Sequence, residues 1–375
     1  MSGASGVSGV SRHRVAVIAG DGIGQEVMPA AIDCLDLVAG LHGLDLDWHH
    51  LDWGSDHYRA HGRMLPVDGL DILAEHDAIF LGAVGVPDIP DVETLWGLLI
   101  PIRRRFEQYV NLRPVRTLPG VRPPLADSGP IDLVVVRENN EGEYSEIGGR
   151  MYRGLPEEFA VQEAVFTRRG VERVARYAAR LAASRGGRLT SATKSNGIVH
   201  TMPFWDEVVR EALADFPEVE LRSELIDALA ASLVLHPARY DVIVASNLFG
   251  DILSDLAGAI TGSIGVAPSA NLNPEGRHPS MFEPVHGSAP DIAGQGVANP
   301  VGQIWSGAMM LDALGHPAAA AHLVAAFEAA LAGGTRTRDL GGRASTTAFT
   351  EAVRGHVEDL ARTGEHAGPA DPGGS

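Results

Sequence analysis

The chain has 375 residues, enough for two domains and a large core, and its 45% hydrophobic and 21% charged content is that of a globular protein. A formal net charge of −18 excludes a broad basic face, and with it a nucleic-acid partner. The single cysteine, Cys34, excludes a disulfide framework and a thiolate metal site, and no stretch approaches the ~18–20 apolar residues that span a bilayer, so a cytoplasmic setting without membrane contact is expected.

The Gly/Ser-rich opening lacks the apolar core of a signal peptide, and residues 1–11 and 363–375 are expected to be flexible tails. "RVAVIAG" (14–20) predicts a buried strand and "GQEVMPAAIDCLDLVAG" (24–40) a helix. Between them, "AGDGIGQEV" (19–27) imitates a dinucleotide fingerprint, but Gln25 stands where G-x-G-x-x-G requires its third glycine. A tight strand-to-helix turn is the equal reading, and no nucleotide is placed there by Rossmann rules. "LDLDWHHL" (44–51) alternates as a strand and "DAIFLGAVG" (77–85) is a further buried one. The Pro-rich 119–130 stretch is a surface connection, and 131–138 a strand. From 140 to 167 the α/β alternation breaks, and a Gly-Gly turn in "EYSEIGGRMYRG" followed by "EFAVQEAVFT" predicts an antiparallel arm. Strands at 188–196 and 240–247, with helices at 168–185, 200–215, 251–260, 303–314 and 318–332, complete an α/β pattern.

Several residues carry chemistry in unexpected places. Arg103, Arg113 and Arg137 lie in or beside apolar runs, where guanidinium groups would suit the carboxylates of a small di-acid. A surface ion pair is the alternative for each, and the reading for Arg104 and Arg105. Tyr144 is a proton donor or a packed tyrosine. Lys194, in "SATKSNG", ends a β-rich run before a helix, and a lysine desolvated there would make a general base. Asp227 is expected to end a strand and is a further carboxylate candidate. In "SNLFGDILSDLAG" (246–258), Asp251 and Asp255 share a helix face and repel. Asp251 is either an N-cap after a loop-like "FG", with Asp255 an exposed polar position, or both hold a hard divalent cation. The small-residue loop "FEPVHGSAPDIAGQGVANP" (282–300) leaves backbone at Gly287, Ser288 and Ala289 open to a ligand. Asp291 there would accept from a ribose 2′-hydroxyl and repel a 2′-phosphate, favouring NAD over NADP.

Together and in order, "GDGIG", "NLRPVR", "VVRENNEGEYS", "TKSNG", "NLFGDILSDLAG" and "FEPVHGSAPDIAG" resemble the β-decarboxylating hydroxyacid dehydrogenases, a family of isocitrate, 3-isopropylmalate and tartrate/D-malate enzymes. The resemblance runs from about Val15 to Thr347. It implies an isocitrate/isopropylmalate dehydrogenase-like α/β fold in place of a Rossmann fold. Two α/β domains would flank a central cleft: 12–108 with 262–362 as the large domain, and 109–261 as the small one, with a β arm at a homodimer interface. It further implies that Arg103, Arg113 and Arg137 bind substrate carboxylates and that Tyr144 protonates the enol product. Lys194 would be the general base, and Asp227, Asp251 and Asp255 would hold Mg²⁺ or Mn²⁺. Lys194 and Asp227 would reach into the neighbouring subunit's site. Glu283, His286, Gly287, Ser288, Ala289, Asp291 and Asn299 would form the cofactor loop. NAD is again favoured, because Asp291 and Ile292 stand where NADP-dependent isocitrate enzymes carry lysine and tyrosine. K⁺ activation is implied by the resemblance alone.

Gly97 and Leu99 replace the serine and asparagine that hold the third carboxylate in bacterial isocitrate enzymes, which argues against a tricarboxylate. Trp96 replaces a glutamate of isopropylmalate enzymes, although Leu99 could touch an isopropyl group. "LWGLLIPIRRRFEQYVNLRPVRTLPGV" and "RENNEGEYSEIGGR" look most like the tartrate/D-malate branch. The expected reaction is D-malate to pyruvate and CO₂, with tartrate as an additional substrate and 3-isopropylmalate dehydrogenase as the alternative. Asn140 departs from the threonine expected in that motif. A non-catalytic, ligand-sensing homologue would be expected to lose a base, acid or metal ligand, and this chain keeps Lys194, Tyr144 and all three aspartates.

Overall fold

Runs of β-branched and small apolar residues build the sheet, and helices follow most strands of its two wings. The computed structural model describes residues 11–125 and 129–364. Its strands are β1 (Ser11–Gly20), β2 (Leu44–His50), β3 (Ala78–Ala83), β4 (Val110–Arg116), β5 (Asp132–Glu138), β6 (Gly148–Met151), β7 (Phe159–Gln162), β8 (Arg188–Thr193), β9 (Glu220–Leu225), β10 (Val242–Ala245), β11 (Pro268–Leu272) and β12 (Ser280–Pro284). Ten of them form one mixed sheet in the order β2-β1-β3-β12-β11-β4-β5-β10-β8-β9. This is not the 3-2-1-4-5-6 order of a dinucleotide-binding sheet. Both wings are parallel, while β12–β11, β11–β4 and β4–β5 are antiparallel.

Buried apolar residues divide along the same line. One cluster draws from Tyr109 to Ile260 and centres on β5, β10 and Trp205. Another packs β1 and β3 against the helices Gly24–Leu41, Val301–Ala313, Pro317–Ala332 and Thr346–Thr363, and it also takes Leu118 and Val121. Strands covered on both faces read as continuous apolar runs, as "AIFLGA" of β3 does.

Several elements differ from the sequence expectation. Gly148 and Gly149 are paired within β6, opposite Gln162 and Val161, so the arm turns after Met151 rather than at the glycines. β4 contains Pro114, which reads against a strand. It is tolerated because β11 pairs only with 110–112, leaving the proline on an edge there. Asp227 does not end a strand: β9 stops at Leu225, and Asp227 lies in the first turn of the helix Ile226–Leu235. The short strands β11 and β12 give no strong periodic signal of their own, whereas the helix Thr346–Thr363 carries one in its buried Phe349, Val353 and Val357. Ser11 opens β1 and Thr363 closes the last helix, so neither belongs to a tail. The rest of the expected tails up to residue 10 and from 365, and residues 126–128 of the Pro-rich connection, lie outside the described residues. No described helix is long and apolar enough to cross a membrane.

Candidate active site

The antiparallel centre of the sheet brings the three arginines together. Asn111 pairs with Arg137, and Arg113 with Val135, so Arg113 and Arg137 share one face of β4 and β5. The helix Asn247–Thr261 crosses that face. It begins four residues before Asp251, because Ser246 caps it by accepting from Phe249 N at 3.4 Å. Asp251 is therefore not an N-cap: it sits inside the helix, one turn before Asp255, and both point back to the arginines. Gly250 permits this approach, since a Cβ there would lie 2.6 Å from the Arg137 Cβ.

Arg113 Nη1 donates to Ser254 Oγ at 2.7 Å and Asp255 Oδ1 at 3.0 Å, and lies 3.4 Å from Asp251 Oδ1. Arg137 donates through Nε and Nη2 to Asn247 Oδ1, at 3.0 and 2.7 Å, and through Nη1 to Asp251 Oδ1. Tyr144 donates from its hydroxyl to Asp251 Oδ2 at 3.1 Å, with the Arg137 guanidinium 5.6 Å from its ring centre. Arg103, from the helix Ile100–Arg105, forms a buried pair with Glu283 at 3.0 Å. Arg104 and Arg105 make the surface pairs expected of them, with Glu146 and Asp71. Arg104 also donates to the Tyr144 carbonyl oxygen at 3.0 Å.

The charges are strongly coupled. Burial lowers the pKa of Arg137, with Arg113 and Arg103 adding repulsion and Asp251 opposing it. Burial alone would raise the Asp251 carboxyl, but Arg137 and Arg113 outweigh it and hold Asp251 below the ordinary range. Asp255 is raised, by burial and by the Asp251 charge, against Arg113. Tyr144 is raised by burial and by Asp251, so it stays protonated at neutral pH.

A cavity of about 200 Å³ opens on this cluster, bounded by Arg103, Arg113, Arg137, Tyr144 and Asp251. Glu283, His286 and Gly287 close one side, and Leu95 and Leu99 form an apolar wall. Trp96 and Gly97 do not line it. Trp96 lies under the Arg104 guanidinium, 5.0 Å from ring centre to carbon, and Gly97 packs on Met64. His286 also lines a second cavity of about 530 Å³, with Ala289, Asp291, Ile292 and Asn299. Burial lowers the His286 pKa, so the ring is neutral at pH 7.

Two expected members of the cofactor loop are placed differently. Glu283 lies in β12, where Arg103 and Asn271 Nδ2 engage its carboxylate. The Ser288 hydroxyl turns inward to the Gly85 carbonyl oxygen, at 2.6 Å, leaving only its backbone near the loop surface.

Lys194 and Asp227 are not brought to the cluster. They pair with each other at 2.6 Å beyond the ends of β8 and β9. Lys194 is not desolvated in the single chain: its side chain is 30% exposed, because the outer strands of the wing leave it at the rim. Among the described residues no three His, Cys, Asp or Glu converge as a metal cage. Asp251 and Asp255 nevertheless fit a hard divalent cation, since they stand one turn apart on one helix with Asp255 still partly exposed, and Mg²⁺ or Mn²⁺ takes one or two carboxylates plus substrate and water oxygens. Sequence reasoning missed Leu95, Asn247, Ser254 and Asp339. Asn247 alone carried a signal, as a polar residue beside Ser246 at a buried helix start. Asp339 accepts from Asn299 Nδ2 at 2.9 Å across the second cavity.

Comparison with known proteins places these features in context. Residues 14–353 match the family model described as isocitrate/isopropylmalate dehydrogenase. A probable tartrate dehydrogenase/decarboxylase of Bacillus subtilis (strain 168) is 51% identical over 353 residues, covering 94% of this chain and 99% of that protein. A D-malate dehydrogenase [decarboxylating] of Escherichia coli (strain K12) is 53% identical over 350 residues, covering 91% and 97%. The crystal structure of isocitrate dehydrogenase from Methylococcus capsulatus superposes with a TM-score of 0.84 at 34% identity, covering 92% of this chain and 99% of that one.

Proposed function

This chain belongs to the isocitrate/isopropylmalate dehydrogenase family, and on that premise we propose that it catalyses the NAD-dependent oxidative decarboxylation of a small 2-hydroxy di-acid. The proposed reaction is D-malate to pyruvate and CO₂, with tartrate as an additional substrate. The names of its relatives support oxidative decarboxylation of a hydroxy acid. The observation that carries the narrower reading is the convergence of three buried arginines on a cavity of about 200 Å³ beside Asp251 and Tyr144.

Arg103, Arg113 and Arg137 bind and orient the two carboxylates. Asp251 and Asp255, joined by Asp227 of the neighbouring subunit of a homodimer, hold a divalent cation. When bound, that cation supplies Lewis-acid polarisation of the substrate oxygens, and NAD supplies the hydride acceptor. Lys194, also from the neighbour, takes the hydroxyl proton as hydride leaves C2. Tyr144 returns a proton to the carbon that loses CO₂, a role compatible with its raised pKa. Asp291, on the second cavity, accepts from the ribose hydroxyls.

The Leu95 and Leu99 wall also suits a branched alkyl group, so 3-isopropylmalate is the second reading. NADH formation by the purified protein with Mn²⁺ and K⁺ separates the two. The panel is D-malate, L-malate, (+)-tartrate, meso-tartrate, isocitrate and 3-isopropylmalate, with CO₂ followed in parallel. D-malate should lead and yield pyruvate and CO₂ in equal amounts. A lead by 3-isopropylmalate would overturn the substrate assignment, and silence throughout would return the chain to a ligand-sensing role.

A further inference from the structure

The turn "GDGIGQE" (20–26) has no part in the mechanism above, yet the loop running from Ser288 to Ala298 is built on it. At the near end, Ile23 N donates to the Ser288 carbonyl oxygen at 2.8 Å. The Ser288 hydroxyl donates to Gly85 O, and Gly85 N donates to Asp21 Oδ2 at 2.7 Å. Gly22 has φ +55°, and a Cβ there would lie 2.0 Å from the Ser288 carbonyl oxygen, so only glycine lets turn and loop meet.

At the far end, the Glu26 carboxylate reaches out of the first turn of the helix Gly24–Leu41. It accepts from Gly296 N at 3.1 Å and Ala298 N at 2.8 Å. The Thr346 hydroxyl lies against the same carboxylate and 2.7 Å from the Ala298 carbonyl oxygen, and it gives its single proton to one of them. Between the two ties, Ala289 and Ile292 pack on Ile23, Val27 and Ala298. Ala289 is held at φ 39°, a conformation an alanine keeps only where its surroundings over-determine it.

We propose that Glu26 is a positioning residue for the dinucleotide. Its carboxylate pins the far end of the loop, so that Asp291 and Ile292 present a rigid wall to the second cavity before any ligand arrives. This rests on the reading of 286–299 as the cofactor loop. A pre-formed wall binds more tightly because less ordering is lost on binding.

The test uses Glu26→Gln in the full chain, with NADH affinity measured by fluorescence titration alongside steady-state kinetics. Glutamine keeps the size but replaces one acceptor with an NH₂ facing a backbone N–H donor. The NADH Kd and the KM for NAD should rise about tenfold, a differential binding cost of about 1.4 kcal/mol, while kcat and the KM for the hydroxy acid stay within about twofold. A purely structural role would lower the unfolding midpoint without that split. Thr346→Val, which removes the hydroxyl that links the same carboxylate and the Ala298 carbonyl oxygen, should weaken NADH binding about threefold, and Thr346→Ser should restore it. NADH affinity unchanged in Glu26→Gln, but lost in Asp291→Ala, would overturn the anchor and leave the cofactor loop standing. Affinity unchanged in Asp291→Ala would overturn the loop reading itself, and the anchor with it.

Discussion

Asp251 answers to three partners at once: Arg137, Arg113 and the Tyr144 hydroxyl. Its pKa is lowered despite burial, so it is ionised at neutral pH, and its charge adds to the burial that raises Asp255 one turn away. A bound cation would relieve the second effect. Asp251→Asn should raise the Mn²⁺ concentration for half-maximal activity by more than about tenfold. An unaltered metal titration would leave Asp251 as a partner of the arginines only. Asp291 and Ile292, on the second cavity, decide cofactor preference in the proposed reading. Asp291→Lys combined with Ile292→Tyr should invert the NAD-to-NADP ratio of kcat/KM, because a lysine in place of the carboxylate attracts a 2′-phosphate instead of repelling it. No shift in that ratio would misplace the loop.

The segment "RENNEGEY" uses carboxylates as clamps on the starts of two helices, Arg168–Ala183 and Asn247–Thr261. Glu141 accepts from Thr167 N and Oγ1, and Glu143 accepts from Ser246 Oγ and Leu248 N at the helix start. Ser246→Ala removes the cap and the Glu143 contact together and should cost about 1 kcal/mol in urea unfolding. Glu138, buried at the end of β5, accepts from Asn140 N and Glu141 N. Burial pushes its carboxyl up to about 7, from 4.5. Between those values the folded chain keeps a proton that the unfolded chain has released. The stability it contributes is fully present below pH 4.5 and is lost as the pH rises through 7. Glu138→Gln should therefore flatten the fall in stability between pH 5 and pH 7, by on the order of 1–3 kcal/mol. Parallel slopes for the two proteins would mean the carboxylate is already ionised when buried.

Several large apolar side chains are about half exposed in the single chain. Met151, Phe159 and Val161 on the β6–β7 arm are exposed, as are Val199 after Lys194 and Ile252 beside Asp251. The Lys194–Asp227 pair is also partly exposed. The proposed sharing of sites between two subunits predicts complementation. Lys194→Met and Tyr144→Phe homodimers should each be nearly inactive. After subunit exchange, half of the dimers are mixed and carry one intact site in two, so about a quarter of wild-type activity should return. If Lys194 instead served its own chain, every site in the mixture would carry one lesion and no activity would return.

By itself the sequence determined the α/β class, the buried strands β1, β3 and β10, the arm and the family, because these rest on local periodicity and on motifs whose spacing survives without coordinates. It also placed Arg103, Arg113, Arg137, Tyr144 and Asp251 as candidates for one site. Only the tertiary structure decided that they share a cavity, since the antiparallel centre and the helix crossing it set which side chains face each other. It alone separated Asp251 from the N-cap role, turned the Ser288 hydroxyl inward, paired Glu283 with Arg103, and left Lys194 and Asp227 at the rim. The physical reason is common to all four. A side chain's type fixes which bonds it can form, but burial and distant partners choose among them.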